Sequence, residues 1–217
     1  EFELVETLAE RIAEIILMEF GVPWVRLSLN KIGAIRGARD VGVVIERSKK
    51  KMRKVEVYIG IGSNIDKVRN IRGCLDYLKD FFSEIKISPI YQSKAIGMEG
   101  DDFYNLVVRF KTSLGIKTLE SKLREIEYCF GRKRNQPPHT SRTLDIDLLL
   151  FGNLISEKHN VPRDDITNYI FVLKPLYDIE PDLIHPIRHE KISILWEKFD
   201  KSLQAIQSLE GNILDNK

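Results

Sequence analysis

The chain has 217 residues, 43% of them hydrophobic, with 34 basic and 32 acidic residues and a formal net charge of +2. That length and apolar content suffice for one large core or two small ones, and the balanced charge excludes a global field drawing the whole molecule to nucleic acid or a membrane surface. No run of about 18 apolar residues occurs and no signal-peptide pattern opens the chain. The two cysteines, Cys74 and Cys129, lack metal-ligand spacing; they point to a reducing cytoplasm, with an organelle as the alternative if a targeting peptide lies upstream.

Leu4, Leu8, Ile12, Ile15 and Ile16 recur at helical spacing, Gly21-Val22-Pro23 breaks the pattern, and Val25, Leu27 and Leu29 alternate as in a strand. A second strand is expected over 41–45, after a loop containing Lys31, Gly33, Arg36, Gly37 and Arg39. One helix and two strands make a thin core that needs more chain or a partner. The opening Glu1-Phe2-Glu3-Leu4 enters the helical repeat without an initiator Met, which leads us to expect further chain upstream. The charged run Arg47-Ser48-Lys49-Lys50-Lys51-Met52-Arg53-Lys54 reads as a solvated linker, with a nucleic-acid arm as the rarer alternative.

Beyond it the periodicities predict a strand over 55–61, a helix over 70–82, strands over 85–91 and 104–110, a helix over 118–130 and a strand carrying Asp145 and Asp147. The order β-α-β-β-α-β is that of a split βαβ, or ferredoxin-like, α+β fold. Its antiparallel sheet would carry helices on one face and leave the other for a site. Gly60-Ile61-Gly62-Ser63-Asn64 lacks a third glycine at the dinucleotide spacing and any GK[ST], so a tight strand-to-helix turn is expected there.

In Arg142-Thr143-Leu144-Asp145-Ile146-Asp147-Leu148-Leu149-Leu150-Phe151 the apolar composition and the following Gly152-Asn153 favour a strand. Alternation then places Leu144, Ile146, Leu148 and Leu150 on one face and Asp145, Asp147, Leu149 and Phe151 on the other. Carboxylates two apart on a strand stand roughly 6–7 Å apart, a spacing that can hold divalent cations; Mg²⁺ takes one or two carboxylates and completes its shell with water and phosphate oxygens. The alternative is an edge strand with a merely solvated polar face. Just upstream, the segment 131–142 carries Arg132, Lys133, Arg134 and Arg142, cations of the kind phosphate transfer uses to neutralise developing charge. Asp102-Phe103-Tyr104-Asn105 and Asn168-Tyr169-Ile170-Phe171 supply aromatic faces and amides able to hold a flat heterocycle, although buried structural aromatics are the commoner explanation.

Taken in order over about residues 55–200, Gly62-Ser63-Asn64, Phe103-x-Asn105, Gly131-Arg132 and above all Ser141-Arg142-Thr143-Leu144-Asp145-Ile146-Asp147-Leu148-Leu149 resemble the 6-hydroxymethyl-7,8-dihydropterin pyrophosphokinases of folate biosynthesis. The resemblance implies transfer of the β,γ-diphosphate of ATP to the pterin hydroxymethyl group with release of AMP, and two Mg²⁺ ions held by Asp145 and Asp147. It assigns phosphate handling to Arg132 and Arg142, and further ATP contacts to Glu127, Arg134, Leu148 and Lys158. It places Ser93, Ile96, Phe103, Asn105 and Phe171 in the pterin pocket, with Phe103 and Phe171 sandwiching the ring. Three places depart from the usual pattern: Pro138, His139 and Thr140 replace a basic residue, an aromatic and Gly; Val161-Pro162-Arg163 replaces Val-Pro-His; and Tyr169 stands where an arginine is frequent. These bear on lid closure and ATP affinity.

The first fifty or so residues resemble the C-terminal part of dihydroneopterin aldolase through Leu4-Val5-Glu6-x-Leu8-Ala9, Lys31-x-Gly33-Ala34 and Val41-Gly42-Val43. This implies that Glu6 anchors the pterin amino edge and Lys31 assists retro-aldol proton transfer; Ile32 stands where Pro is usual. The match covers less than half of an aldolase domain whose sites form between subunits. Aldolase activity is therefore not expected of this chain alone, oligomerisation through the segment is, and a longer parent protein would be bifunctional. The expected division is 1–47 (partial aldolase), 48–54 (linker) and 55–217 (pyrophosphokinase), with a pterin and ATP as partners and neither nucleic acid nor membrane. The competing readings are a ferredoxin-like RNA-binding module, which would use such aromatics to stack bases but lacks its paired-aromatic motif here, and an ordinary γ-phosphoryl kinase.

Overall fold

A computed structural model describes residues 5–20, 22–32, 40–48, 54–97, 100–133 and 140–209. The chain divides into two compact units, 1–53 and 54–217. In the first, α1 (Val5–Glu19) precedes an antiparallel hairpin of β1 (Trp24–Ile32) and β2 (Asp40–Ser48), in register from Trp24 opposite Ser48 to Ile32 opposite Asp40. The helical stripe is real but shallow. Among the described residues of this unit only Ala9 and Ala13 are fully buried hydrophobics, while Ile15, Phe20, Trp24 and Val44 are exposed.

The second unit runs β3 (Val55–Ser63), α2 (Lys67–Phe81), β4 (Ser83–Ile87), β5 (Tyr91–Ser93), β6 (Phe103–Thr112), α3 (Ile116–Cys129) and β7 (Asp145–Phe151). A short 3-10 turn (Glu157–His159), α4 (Asp165–Asn168), α5 (Ile170–Ile179), α6 (Ile192–Lys198) and β8 (Ile206–Ser208) follow. The sheet order is β7-β3-β6-β5-β8, with β4 also on β6, and every pairing is antiparallel. This is the ferredoxin-like arrangement extended by β8. The strand expected over 85–91 is split, because Pro89 has no N–H to give a ladder. Ser88 instead bonds Val107 through its backbone N–H (3.0 Å) and accepts the Val107 N–H on its hydroxyl (2.9 Å).

On one sheet face Ile59, Ile61, Leu106, Val108, Ile146 and Leu148 pack under α2 and α3, through Ile71, Leu75, Leu78, Leu119, Leu123 and Ile126. The opposite face was expected to be free of helices. It is not: Tyr58, Val107, Leu149 and Leu150 pack there against Ile166, Leu173, Leu176, Ile179 and Ile192 of α4, α5 and α6. Those apolar side chains demand a cover, and 165–198 provides it. The strict alternation expected along β7 also fails at its end. The register shifts so that Tyr58 opposes Leu150 and Ile59 opposes Leu148, leaving Leu149 as the extra residue of a bulge. Leu150 therefore joins the α4–α6 side and Phe151 the α2–α3 side, the reverse of simple alternation. Among the described residues no helix is long and apolar enough to cross a membrane.

Candidate active site

What α4–α6 leave uncovered on that second face is a cavity of about 340 Å³. Its floor follows from strand register. Gly62 of β3 lies opposite Asn105 of β6 on one side and Asp145 of β7 on the other, and Gly60 likewise separates Val107 from Asp147. A Cβ on Gly62 would come within 3.3 Å of Asn105 Oδ1 and 3.7 Å of the Phe103 ring, and one on Gly60 within 3.6 Å of Leu149. The two glycines are thus not the turn expected from sequence. They lie inside a strand, and their missing side chains open a trough joining the amide to the carboxylates.

At one end of this trough Asn105 and Ser93 are buried, and Asn105 Nδ2 donates to Ser93 Oγ at 3.0 Å. Phe103 pairs with Ser93 across the strands, and Ile96, Tyr169 and Phe171 line the same cavity. Phe171 stacks on Tyr169 with ring centroids 5.0 Å apart and planes at 19°.

At the other end Asp145 Oδ1 accepts from Arg132 Nη1 (2.7 Å) and Arg142 Nη1 (3.0 Å), and Asp147 Oδ1 pairs with Arg163 Nη2 (3.0 Å). The residues after Gly62 fix one of these arginines. Asn64 Oδ1 accepts the Arg142 N–H (2.6 Å), the Arg142 carbonyl accepts the Asn64 N–H (3.0 Å), and Ser63 Oγ donates to the Thr143 carbonyl (2.6 Å). Arg132 is held by an ion pair with buried Glu127. Because β7 is an edge strand, alternate N–H groups point away from β3, and Glu127 Oε1 takes that of Ile146 at 2.8 Å.

Burial raises the Glu127 carboxyl to about 7, against the Ile146 N–H and Arg132, which favour its ionised form. Asp147 lies deep among protein atoms, although 35% of its side chain still meets solvent. Desolvation first, then the neighbouring Asp145, push it up to about 6 against the pull of Arg163. In both carboxyls burial is the larger influence and a neighbouring arginine opposes it.

The residues fit a divalent cation as a partial oxygen shell. Among the described residues no group of three or more His, Cys, Asp or Glu could hold a metal ion, so Asp145 and Asp147 would supply two carboxylates and leave other positions to water and phosphate. That is the share Mg²⁺ commonly takes from protein.

Of the residues singled out from sequence, Ser93, Ile96, Phe103, Asn105, Arg142, Asp145, Asp147 and Phe171 line this one cavity. Arg132 and Glu127 stand behind Asp145. Leu148 faces a second, smaller cavity of about 160 Å³ with Glu120, Arg124 and His159, and Lys158 is exposed beside His159 and lines neither cavity. Glu6 is exposed on α1 in the other unit. The side chain of Lys31 and all of Arg134 lie outside the described residues. The sequence marked Gly62-Ser63-Asn64 and Arg163 through the family pattern without their roles as floor, clamp and charged lining, and it gave no sign of Asp165 or of Gly60 as part of the floor.

Fold and site together define an α+β enzyme of the phosphate-transferring class. Over residues 58–181 the sequence matches the family of 7,8-dihydro-6-hydroxymethylpterin-pyrophosphokinases, and over 1–46 that of dihydroneopterin aldolase. It is 37% identical over 135 residues to the 2-amino-4-hydroxy-6-hydroxymethyldihydropteridine pyrophosphokinase of Aquifex aeolicus, covering 60% of this chain and 84% of that one. The folic acid synthesis protein fol1 of Pneumocystis carinii is 31% identical and aligns with 91% of this chain, which spans only 29% of fol1. A crystal structure of Plasmodium falciparum HPPK-DHPS with pteroate superposes with a TM-score of 0.55 at 12% identity, over 67% of this chain and 44% of that one, a likeness of fold. The chain belongs to the 7,8-dihydro-6-hydroxymethylpterin-pyrophosphokinase family.

Proposed function

We propose that the unit 54–217 transfers the β,γ-diphosphate of ATP to the hydroxyl of 6-hydroxymethyl-7,8-dihydropterin, releasing AMP. The observation that carries this is the cross-strand row Asn105–Gly62–Asp145, which sets an amide flanked by aromatics and a carboxylate pair at two ends of one trough. The volume suits a small ligand.

In this reading the pterin enters between Phe103 and Phe171, the latter backed by Tyr169. Asn105, whose Nδ2 gives one of its two hydrogens to Ser93, presents Oδ1 towards the open face of Gly62 to accept from the ring's N–H edge. Asp145 and Asp147 would hold two magnesium ions, which would neutralise and orient the phosphate chain. The hydroxyl oxygen forms its bond to the β-phosphorus as the bond from that phosphorus to the α,β-bridging oxygen breaks; AMP leaves with that oxygen, and the hydroxyl proton is released to solvent water. Arg132 and Arg142, released from Asp145 as phosphates arrive, stabilise the charge growing there. Leu148 in the second cavity would contact the nucleoside.

The segment 1–47 we read as a partial aldolase that assembles with other chain, joined by 48–54 to the pyrophosphokinase in a cytoplasmic protein that binds neither nucleic acid nor membrane. The deciding assay supplies hydroxymethyl-dihydropterin, ATP and Mg²⁺ and analyses the nucleotide formed, beside a retro-aldol assay on dihydroneopterin. AMP with pterin diphosphate is expected and no aldolase turnover. ADP would overturn the reading in favour of γ-phosphoryl transfer, and no turnover with Mg²⁺-independent RNA affinity would favour the binding module.

A further inference from the structure

Arg163 is the one arginine of the site that comes from neither the 131–142 segment nor the strand's own approach. Its backbone N–H donates to the carbonyl of Leu149 at 2.9 Å, at the bulge of β7, which anchors it directly beyond the aspartates. Its guanidinium divides itself: Nη2 meets Asp147 Oδ1 at 3.0 Å and Nε donates to Asp165 Oδ2 at 2.6 Å. Among the described residues, Asp147 and Arg163 are the two that line both cavities. Their ion pair is therefore part of the partition between the trough and the smaller cavity.

The charges around the aspartates are unequally shared. Asp145 is met by two guanidinium groups, Asp147 by one that Asp165 also claims. A dication brought onto Asp147 Oδ1 would stand a few ångströms from the Arg163 guanidinium already there, and the repulsion between the two positive charges makes them competitors for that oxygen. Arg163 also has somewhere to go. Its hold on Asp165 would keep it at the site while the other end of the fork turns away, and an arriving phosphate offers the bidentate geometry that guanidinium groups match.

We infer that Arg163 is a built-in counter-ion standing in the cation position of Asp147, which loading displaces so that the partition opens and the guanidinium passes from carboxylate to phosphate. The inference rests on the metal-and-ATP reading above. Its consequence is a coupling: metal alone must compete with Arg163, whereas metal arriving with nucleotide gives Arg163 a new partner, so each ligand strengthens the other.

The test is Mn²⁺ binding to the full chain, measured by electron paramagnetic resonance without nucleotide and then with α,β-methylene-ATP, for the parent protein, Arg163→Gln and Asp147→Asn. Arg163→Gln should bind Mn²⁺ alone about fivefold or more tighter than the parent and lose at least that factor of coupling to the nucleotide, fivefold being the low end of usual site-to-site couplings. Unchanged or weaker Mn²⁺ affinity in Arg163→Gln, while Asp147→Asn still abolishes binding, overturns the inference and leaves the metal site standing. Equal Mn²⁺ binding by the parent and Asp147→Asn overturns the metal reading itself. Should Arg163→Gln fail to unfold cooperatively, the parent protein decides: with Mn²⁺ and α,β-methylene-ATP soaked into crystals, Arg163 Nη2 should have left Asp147, and a guanidinium still within hydrogen-bonding distance of it refutes the displacement.

Discussion

The two units are built from the same materials, antiparallel strands with helices laid on them, yet they stand at opposite ends of self-sufficiency. Residues 54–217 bury two separate apolar clusters, one on each sheet face. Among the described residues of 1–53, two alanines are fully buried while Phe20 and Trp24 remain exposed. Alanine offers little apolar area, at roughly 25 cal/mol per Å² buried, and a helix with one hairpin falls short of what independent folding requires. A family resemblance in sequence is thus present in both units, but among the described residues only the second shows a buried core of the size that folding alone requires.

The sharpest way to break that contrast is to separate the units. Residues 54–217 expressed alone should unfold cooperatively and retain pyrophosphokinase turnover, whereas 1–53 alone should show neither cooperative unfolding nor dispersed amide resonances. A folded, monomeric 1–53 fragment would remove the contrast altogether. Within the second unit the next largest effect belongs to Asp147→Asn. Loss of one carboxylate from a two-carboxylate site removes several kcal/mol of transition-state stabilisation, about 10³-fold in turnover at about 1.4 kcal/mol per tenfold. Far-ultraviolet circular dichroism should be unchanged, and an unaltered rate at saturating Mg²⁺ would contradict the assignment.

Gly62→Val comes third. Valine suits a strand better than glycine, so the fold should survive, but its Cβ would stand 3.3 Å from Asn105 Oδ1 and its methyl groups would fill the trough. Steric overpacking of this kind costs about 1–3 kcal/mol, so pterin binding measured by calorimetry should fall by up to about 10²-fold while Mn²⁺ binding to the carboxylates persists. Loss of both together would mean that the trough is not divided as the row Asn105–Gly62–Asp145 implies.

The trough also marks what could be read from sequence. Asp145 and Asp147 stood out because acids inside an apolar strand need a local reason, and the β-α-β-β-α-β order followed from periodicity along the chain. Gly60 and Gly62 carry no side chain whose pattern could be read; their meaning comes from what pairs beside them, Asn105 and Val107 more than forty positions ahead and Asp145 and Asp147 more than eighty. Arg163 and Asp165 acquire theirs only through the turn that brings the chain back across β7. The bulge at Leu149 is likewise a property of two strands together, and it reversed the faces of Leu150 and Phe151 that alternation alone assigned.

Glu127 gives the smallest effect and the finest test of why the second unit holds its site under strain. Its carboxyl is raised from 4.5 to about 7 chiefly by burial, so the folded protein holds a proton there that the unfolded chain releases. Stability from this group is fully present below pH 4.5 and is lost as pH rises through 7. Glu127→Gln keeps an acceptor for the Ile146 N–H and cannot ionise, so it lacks this loss. Between pH 5 and pH 8 the stability of the parent should fall relative to the variant by roughly 2 kcal/mol, at about 1.4 kcal/mol per tenfold change in the equilibrium. Urea unfolding of both proteins at half-unit steps of pH measures the difference directly. A constant difference would mean that the Arg132 guanidinium and the Ile146 N–H fully compensate the burial of the charge, and that Glu127 holds Arg132 beside Asp145 without cost to the fold.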